Sequence, residues 1–146
     1  MSDERGAIED RGTIGDRDAV GNREVVEAPG APVAIGPYSH AVRAGDLLFC
    51  SGQIPLDPLT GELVGRTAGE QARRCLENLQ AVCEAAGTTL ARGVRLTVYM
   101  TDLAAFAEVN EVYATFFAEQ PPARVAVQVA GLPKGAYVEI DAVVAL

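Results

Sequence analysis

Near the C-terminus, apolar and other residues alternate in two consecutive runs, residues 123–130 and 137–146, and this period of two predicts two β-strands. The apolar positions that share a face are Val125, Val127 and Val129 in the first run and Val138, Ile140, Ala142, Val144 and Leu146 in the second. The opposite positions include Arg124, Ala126 and Gln128 in the first run and Glu139 and Asp141 in the second. We interpret the valine-rich sides as core faces.

A β-hairpin is predicted between residues 40 and 53, because two apolar runs flank a two-residue Gly-Asp turn. A turn of this length fixes the register, which places His40 opposite Ser51 and Ala41 opposite Cys50. The register therefore brings a histidine and a hydroxyl group side by side on neighbouring strands.

Two amphipathic helices and an intervening strand are predicted after the hairpin. The first helix opens with a capping box formed by Thr67 and Glu70 and carries apolar residues at helical spacing as far as Gly87. The second helix is capped by Asp102. Its inward positions are Leu103, Phe106, Val109, Tyr113, Phe116 and Phe117. Asn110 lies beside this stripe, where a buried amide needs hydrogen-bond partners.

The predicted order of elements is ββ-α-β-α-ββ, which defines an α+β fold with a mixed β-sheet and two helices packed on one face. The residues expected on the other face are Thr97, Tyr99, Arg124, Ala126, Gln128, Glu139, Asp141 and Val143. These side chains are small, semi-polar or apolar, and monomers seldom leave such a patch in water. We therefore expect sister subunits to cover this face, with ligand sites between them.

Residues 1–30 are predicted to be a flexible, charged tail that precedes a folded domain at residues 31–146. Arginine recurs every six residues, at positions 5, 11, 17 and 23, and an aliphatic side chain follows each arginine three residues later. Four imperfect copies with little apolar content cannot bury a core. The segment Ala-Pro-Gly-Ala-Pro at residues 28–32 is predicted to be the linker.

Composition narrows the classes of function. The formal net charge of −8 argues against a nucleic-acid partner, because no basic stripe is present to contact phosphates. No apolar run has membrane-spanning length, and the charged N-terminus does not resemble a signal peptide, so we expect a cytoplasmic protein without a membrane partner. The three cysteines match no zinc or redox spacing, and no metal-ligand set or phosphate-binding loop is evident.

Two groups of residues could carry chemistry. Arg124 offers a planar fork suited to a carboxylate, and Glu139 on the next strand could orient a water molecule. The alternative interpretation of this pair is a structural ion pair at an oligomer interface. The second group combines His40 as a base with Ser51 or Cys50 as a nucleophile, although no orienting acid is evident there.

Five segments, in order along the chain, resemble the RidA family of enamine/imine deaminases, also called the YjgF family. They are Ala-Ile-Gly-Pro-Tyr-Ser at 34–39, Ser-Gly-Gln-Ile-Pro at 51–55, Val-Asn-Glu-Val-Tyr at 109–113, Pro-Ala-Arg at 122–124 and Leu-Pro-Lys-Gly-Ala-Tyr-Val-Glu-Ile at 132–140. The resemblance covers the chain from about residue 31 to its C-terminus. Only the tail falls outside it.

This resemblance implies a chorismate-mutase-like fold and a homotrimer, with the helix-free face toward the trimer interior and three sites between subunits. It implies hydrolysis of 2-aminoacrylate, 2-iminopropionate and similar 2-imino acids to 2-oxo acids and ammonia, without a cofactor. Arg124 matches the arginine that binds the substrate carboxylate, and Glu139 matches the glutamate that positions the water. The residues that match the lining of the pocket are Tyr38, Ser51, Gly52 and Asn110.

Four positions depart from the pattern of the family. Val125 and Ala126 stand where some members carry hydroxyl or thiol side chains, so Ala126 would serve the pocket through its backbone. Gly131 replaces an arginine that many members have, which leaves the substrate preference open. His40 stands where glutamine is frequent, which counts against a catalytic role for it.

Three other functions remain open at this point. One is deamination of a different enamine or imine, such as a compound of the amino-muconate type. Another is a non-catalytic regulatory module that binds a small ligand through Arg124 and does not turn it over. RNA cleavage has been claimed for relatives, but the acidic charge and the single histidine count against it here.

Overall fold

The computed structural model describes residues 22–146, which form one six-stranded mixed sheet and two α-helices. The elements are β1 (Arg23–Val26), β2 (Ala41–Ala44), β3 (Leu47–Gln53), α1 (Ala68–Ala85), β4 (Gly93–Met100), α2 (Phe106–Phe116), β5 (Ala123–Gln128) and β6 (Val138–Ala145). The strand order is β1-β2-β3-β6-β4-β5, and only the β4–β5 pair within this part of the chain is parallel. No helix in this range has the length and apolar content to cross a bilayer.

The core lies between the two helices and one face of the sheet, so the predicted α+β architecture is confirmed. Helix α1 begins as the capping box predicts, because Glu70 N donates a hydrogen bond to Thr67 Oγ1 at 3.1 Å. The largest buried apolar side chains are Leu48, Leu76, Leu79, Val82, Leu96, Val98, Met100, Val138, Ile140 and Val144. They come from α1, β3, β4 and β6, which places the central strands firmly under α1.

The β2–β3 hairpin has the predicted register, with Ala41 opposite Cys50. Between Cys50 and Gln53, the pairing of β3 with β6 shifts by one residue. Two β3 residues, Ser51 and Gly52, therefore lie opposite a single residue of β6. A bulge of this kind bends a strand and re-aims its side chains, and such bulges are frequent next to functional sites.

The face assignment of β5 in the sequence analysis is wrong. β5 pairs in parallel register with β4, so Arg124, Ala126 and Gln128 lie on the helix side with the buried residues of β4. Val125 and Val127 lie on the helix-free face and are 45% and 37% exposed. Alternation shows which residues share a face, but not which face the helices cover.

The predicted extent of the tail is also corrected. Residues 23–26, which were assigned to the tail, form β1 and pair antiparallel with β2. Ala28 and Ala31, in the predicted linker, are buried in the core. The backbone pairing with β2 and these two small side chains tie the segment to the sheet. Residues 1–21, with the first three arginines of the repeat, lie outside the described residues.

Candidate active site

The first candidate site is a cleft of about 300 Å³ around Glu139, which lies on the helix-free side of β6. The other residues that line it are Ile35, Tyr38, Ser51, Gly52, Ile54 and Pro133. We call it the carboxyl cleft. It brings together four residues that the sequence analysis assigned to the site, from three separate parts of the chain.

The bulge in β3 brings backbone against the Glu139 carboxyl group. A Cβ atom at position 52 would overlap Glu139 Oε2 and would lie 3.1 Å from the carboxyl carbon. Glycine is therefore the residue that permits this approach. On the same bulge, Ser51 Oγ donates a hydrogen bond to Ser39 O at 2.6 Å, which fixes the loop that carries Tyr38. The cleft is thus built by backbone geometry as well as by side chains.

The electrostatics of the carboxyl cleft favour a proton acceptor. Burial raises the pKa of Glu139 above its ordinary value, and the nearby Asp141 carboxylate raises it further. Asp141 accepts a hydrogen bond from Tyr99 Oη at 2.9 Å. Burial, followed by Asp141, raises the pKa of Tyr99, so this hydroxyl group keeps its proton. An ionised carboxylate with a raised pKa is a stronger base toward water than an ordinary one.

The second candidate site is a cleft of about 500 Å³ that contains Arg124. Its lining residues are Leu103, Phe106, Arg124 and Ala126. We call it the arginine cleft. Arg124 Nη1 donates a hydrogen bond to Asn110 Oδ1 at 2.7 Å. The guanidinium carbon lies 5.3 Å from the ring centroid of Phe106 and 4.8 Å from that of Tyr113. Helix α2 therefore supplies all the side-chain contacts described for this guanidinium.

The two clefts lie on opposite sides of the sheet, which corrects the expectation that Arg124 and Glu139 share a face. Arg124 faces helix α2, whereas Glu139 lies opposite Tyr99 on the helix-free side. Within residues 22–146, no carboxylate forms an ion pair with Arg124. The structural ion pair is therefore not formed within one chain, and each chain presents the two groups separately.

Helix α2 differs from its predicted apolar stripe. Leu103 and Phe106, predicted to point inward, are 41% and 37% exposed and line the arginine cleft. Asn110 was expected to be buried and hydrogen-bonded. It is exposed, but its side chain does have a hydrogen-bond partner, Arg124. Tyr113, assigned only to the core, also contacts the guanidinium. The spacing of positions 106, 110 and 113 puts two rings and an amide on one helix face. This pattern is the feature of the sequence that could have identified Tyr113 as a contact of Arg124.

His40 is a structural residue, and the hypothesis that it acts as a base is wrong. Its Nδ1 accepts a hydrogen bond from Ala28 N at 2.8 Å, so the proton lies on Nε2, which donates to Pro32 O at 2.8 Å. Ser51 Oγ donates to a backbone carbonyl and not to the imidazole. Cys50 is buried. With both ring nitrogens engaged, His40 anchors the segment between β1 and β2.

Comparison with known proteins identifies the family to which this fold belongs. The chain matches the family model described as Endoribonuclease L-PSP over residues 29–146. It is 56% identical over 116 residues to the RutC family protein y4sK of Sinorhizobium fredii, which covers 80% of this chain and 92% of that protein. It is 45% identical over 119 residues to the 2-iminobutanoate/2-iminopropanoate deaminase of Mus musculus, covering 82% and 88% of the two chains.

A solved structure leads to the same family. The crystal structure of RidA from the Antarctic bacterium Psychrobacter sp. PAMC 21119 matches with a TM-score of 0.81 and 44% sequence identity, over 84% of this chain and 99% of that chain. The chain is a member of the RidA family, which the Endoribonuclease L-PSP model describes. The resemblance inferred from the sequence segments is thereby confirmed.

Proposed function

We propose that this protein hydrolyses small 2-imino acids, and the enamines that tautomerise to them, to 2-oxo acids and ammonia. The proposal rests on the functional groups that the two clefts contain. One offers a guanidinium without a carboxylate partner among the described residues, and the other a carboxyl group with a raised pKa. The name of the mouse relative, a 2-iminobutanoate/2-iminopropanoate deaminase, supports the same reaction.

Each group has a defined role in the proposed reaction. Arg124 binds the substrate carboxylate through the donors that Asn110 leaves free. A water molecule adds to the carbon of the C=N bond while Glu139 accepts its proton. Glu139 returns this proton to the nitrogen of the resulting carbinolamine, the C–N bond breaks with its electron pair, and ammonia leaves. The remaining hydroxyl group loses its proton and becomes the carbonyl of the 2-oxo acid.

The reaction requires the two clefts to meet, and we propose that they do so between copies of the chain in a homotrimer. The helix-free face carries large apolar side chains that no described residue covers. Phe49 is 46% exposed, and Val125 and Val127 are 45% and 37% exposed. Burial of this face against a second copy would remove apolar area from water. β5 is at the edge of the sheet, and in the proposed homotrimer the arginine cleft of one copy would lie against the carboxyl cleft of the next.

RNA cleavage, which the description of the family model names, fits this chain less well. The net charge of −8 repels a phosphate backbone. The single histidine has both ring nitrogens in hydrogen bonds to backbone groups, so no imidazole is free to act as a base. The acidic cleft around Glu139 favours a water molecule and a basic nitrogen over a phosphodiester.

A complementation experiment tests the proposal. Arg124→Ala and Glu139→Gln chains are each expected to be nearly inactive, whereas co-expressed mixtures should release ammonia from 2-iminopropionate. In a symmetric ring that assembles at random from equal amounts, about a quarter of the sites combine an intact arginine with an intact glutamate. An active wild-type protein without recovery in the mixture would contradict the shared site. Ligand binding by a wild-type protein that has no turnover would instead favour a regulatory module.

Gly52 provides a second test of the carboxyl cleft. Gly52→Ala is expected to lower kcat about 10- to 100-fold, because the added methyl group displaces the Glu139 carboxyl group from its position. Gly131→Ala is the matched control, since an added Cβ there has no atom within 4 Å. Steady-state ammonia release from both variants is the measurement. Unchanged turnover by Gly52→Ala would show that the close approach of backbone to Glu139 is not needed.

A further inference from the structure

Tyr113 is the one aromatic residue of helix α2 that is both buried and in contact with the Arg124 guanidinium. The residue is 5% exposed, and its ring centroid lies 4.8 Å from the guanidinium carbon. Phe106 also contacts the guanidinium, at 5.3 Å, but it is 37% exposed. The buried ring therefore sets a fixed surface behind the arginine, whereas the exposed ring forms part of the open wall of the cleft.

The hydroxyl group of Tyr113 does not explain why an aromatic ring occupies this position. Tyr113 Oη is buried and has no hydrogen-bond partner among the described residues. An unpaired buried hydroxyl group destabilises a fold, so phenylalanine would suit the core better. The ring also packs against Phe117 at a centroid distance of 4.8 Å. The contact that distinguishes position 113 from an ordinary core position is the one between its ring face and the guanidinium.

Helix α2 contacts the Arg124 guanidinium and leaves one edge of it open. Nη1 is held by Asn110 Oδ1 at 2.7 Å, and it is the only nitrogen of this guanidinium with a hydrogen-bond partner among residues 22–146. The ring face of Tyr113 restricts rotation and displacement of the plane. The remaining donors, on Nε and Nη2, are then presented together, which is the arrangement that binds a carboxylate through two parallel hydrogen bonds.

We propose that Tyr113 is a positioning residue for the substrate carboxylate, and that it acts through its ring and not through its hydroxyl group. This inference rests on the proposed function, in which Arg124 binds the carboxylate. The ring holds the guanidinium plane in the orientation that a bidentate contact requires. Loss of the ring therefore weakens binding of ligands that carry a carboxylate and leaves binding of neutral analogues unchanged.

The experiment measures the affinity of the full-length protein for 2-oxobutanoate and for its carboxamide by calorimetry. Tyr113→Phe should bind 2-oxobutanoate as the wild type does. Tyr113→Met, which fills the space without a π face, should bind it roughly threefold to tenfold more weakly. The carboxamide should bind all three proteins equally. With 2-iminobutanoate as substrate, Tyr113→Met should raise KM by a similar factor and leave kcat nearly unchanged.

A second variant keeps the test decisive if Tyr113→Met fails to fold. Replacement of Tyr113 with 3,4,5-trifluorophenylalanine keeps the shape of the ring but weakens the negative potential of its face, so it should weaken binding of 2-oxobutanoate relative to Tyr113→Phe. Equal affinities of the fluorinated and Tyr113→Phe proteins would overturn the proposal, as would equal losses for the acid and the carboxamide. Failure of the proposed function would look different, because calorimetry reports on the carboxylate site even without turnover.

Discussion

Arg124→Ala will lower kcat/KM for 2-iminopropionate by roughly 30-fold to several thousandfold. Removing one partner of a hydrogen-bonded charge pair that is desolvated, as assembly of the proposed shared site would make this one, costs about 2–5 kcal/mol, and each 1.36 kcal/mol is about tenfold in rate. The loss arises because the substrate carboxylate enters the site without the guanidinium that Asn110 and two aromatic rings of α2 hold in place. Steady-state ammonia release over a range of substrate concentrations is the measurement.

Two controls separate this effect from a general loss of structure. Arg73 also places its guanidinium over an aromatic ring of α2, 6.0 Å from the Phe116 centroid, but it lines neither cleft. Arg73→Ala should therefore retain wild-type turnover. An imine without a carboxylate should react equally slowly with the wild type and Arg124→Ala. Near-normal kcat/KM of Arg124→Ala for 2-iminopropionate would remove the basis of the proposed function.

Glu139→Gln will lower kcat by about 10²–10⁴-fold, the range that proton transfer by a positioned side chain contributes. In the wild type, activity requires the ionised form of Glu139. The acid limb of the kcat profile should therefore lie above 4.5, the ordinary value, because burial and then Asp141 raise the pKa of this group. Asp141→Asn should move the limb to lower pH. A limb at the ordinary carboxyl pH would show that another group limits the rate.

The same pKa shift predicts that Glu139→Gln stabilises the fold. The folded pKa of Glu139 lies above the unfolded value, so proton binding favours the folded state below pH 4.5, and this contribution is lost as the pH rises through the raised pKa. Glutamine does not titrate, so the difference in free energy of unfolding should be absent below pH 4.5 and should grow to a plateau above the raised pKa. Urea unfolding at acidic and neutral pH measures it. A difference that does not vary with pH would contradict the assignment.

Local features of the fold could be predicted because local residues determine them. The Gly-Asp turn sets the hairpin register, and the hydroxyl group of Thr67 and the carboxylate of Glu70 satisfy free N–H groups at the start of α1 whatever else surrounds them. The predicted helix and hairpin were accordingly confirmed. The bulge at Ser51 and Gly52 has no comparable local signature, because it depends on the pairing of β3 with a strand distant in sequence.

The orientation of β5 could not be predicted for a related reason. Its valines alternate as a core strand would, and a single sequence does not reveal that a second apolar surface exists. The same uncertainty affected Leu103 and Phe106, whose spacing fits the inward stripe of α2 although both are largely exposed. In each case the pattern identified the apolar residues correctly. It could not show that some of these residues lie on surfaces outside the core.

The residues of the candidate site could be named from the sequence segments, but their arrangement could not. Tyr38, Ser51, Gly52 and Glu139 line one cleft together, as expected. Arg124 and Asn110 meet on the other side of the sheet, where helix α2 holds them. The sequence alone predicted that Arg124 and Glu139 lie on one face of adjacent strands, because consecutive segments suggested adjacent strands. Strand β4 lies between β5 and β6, and this crossover separates them.

Arg124 and Glu139 lie on opposite sides of the sheet, and this has a practical consequence for anyone who screens variants of this protein. In the proposed homotrimer the two clefts meet only between copies, so an isolated monomer would lack a complete site and specific activity should decline on dilution even while every molecule stays folded. A polar substitution at Val127, which lines neither cleft, would then look in a turnover screen like damage to the catalytic groups. Only a parallel measurement of molecular mass in solution would distinguish a failure to assemble from a failure of chemistry.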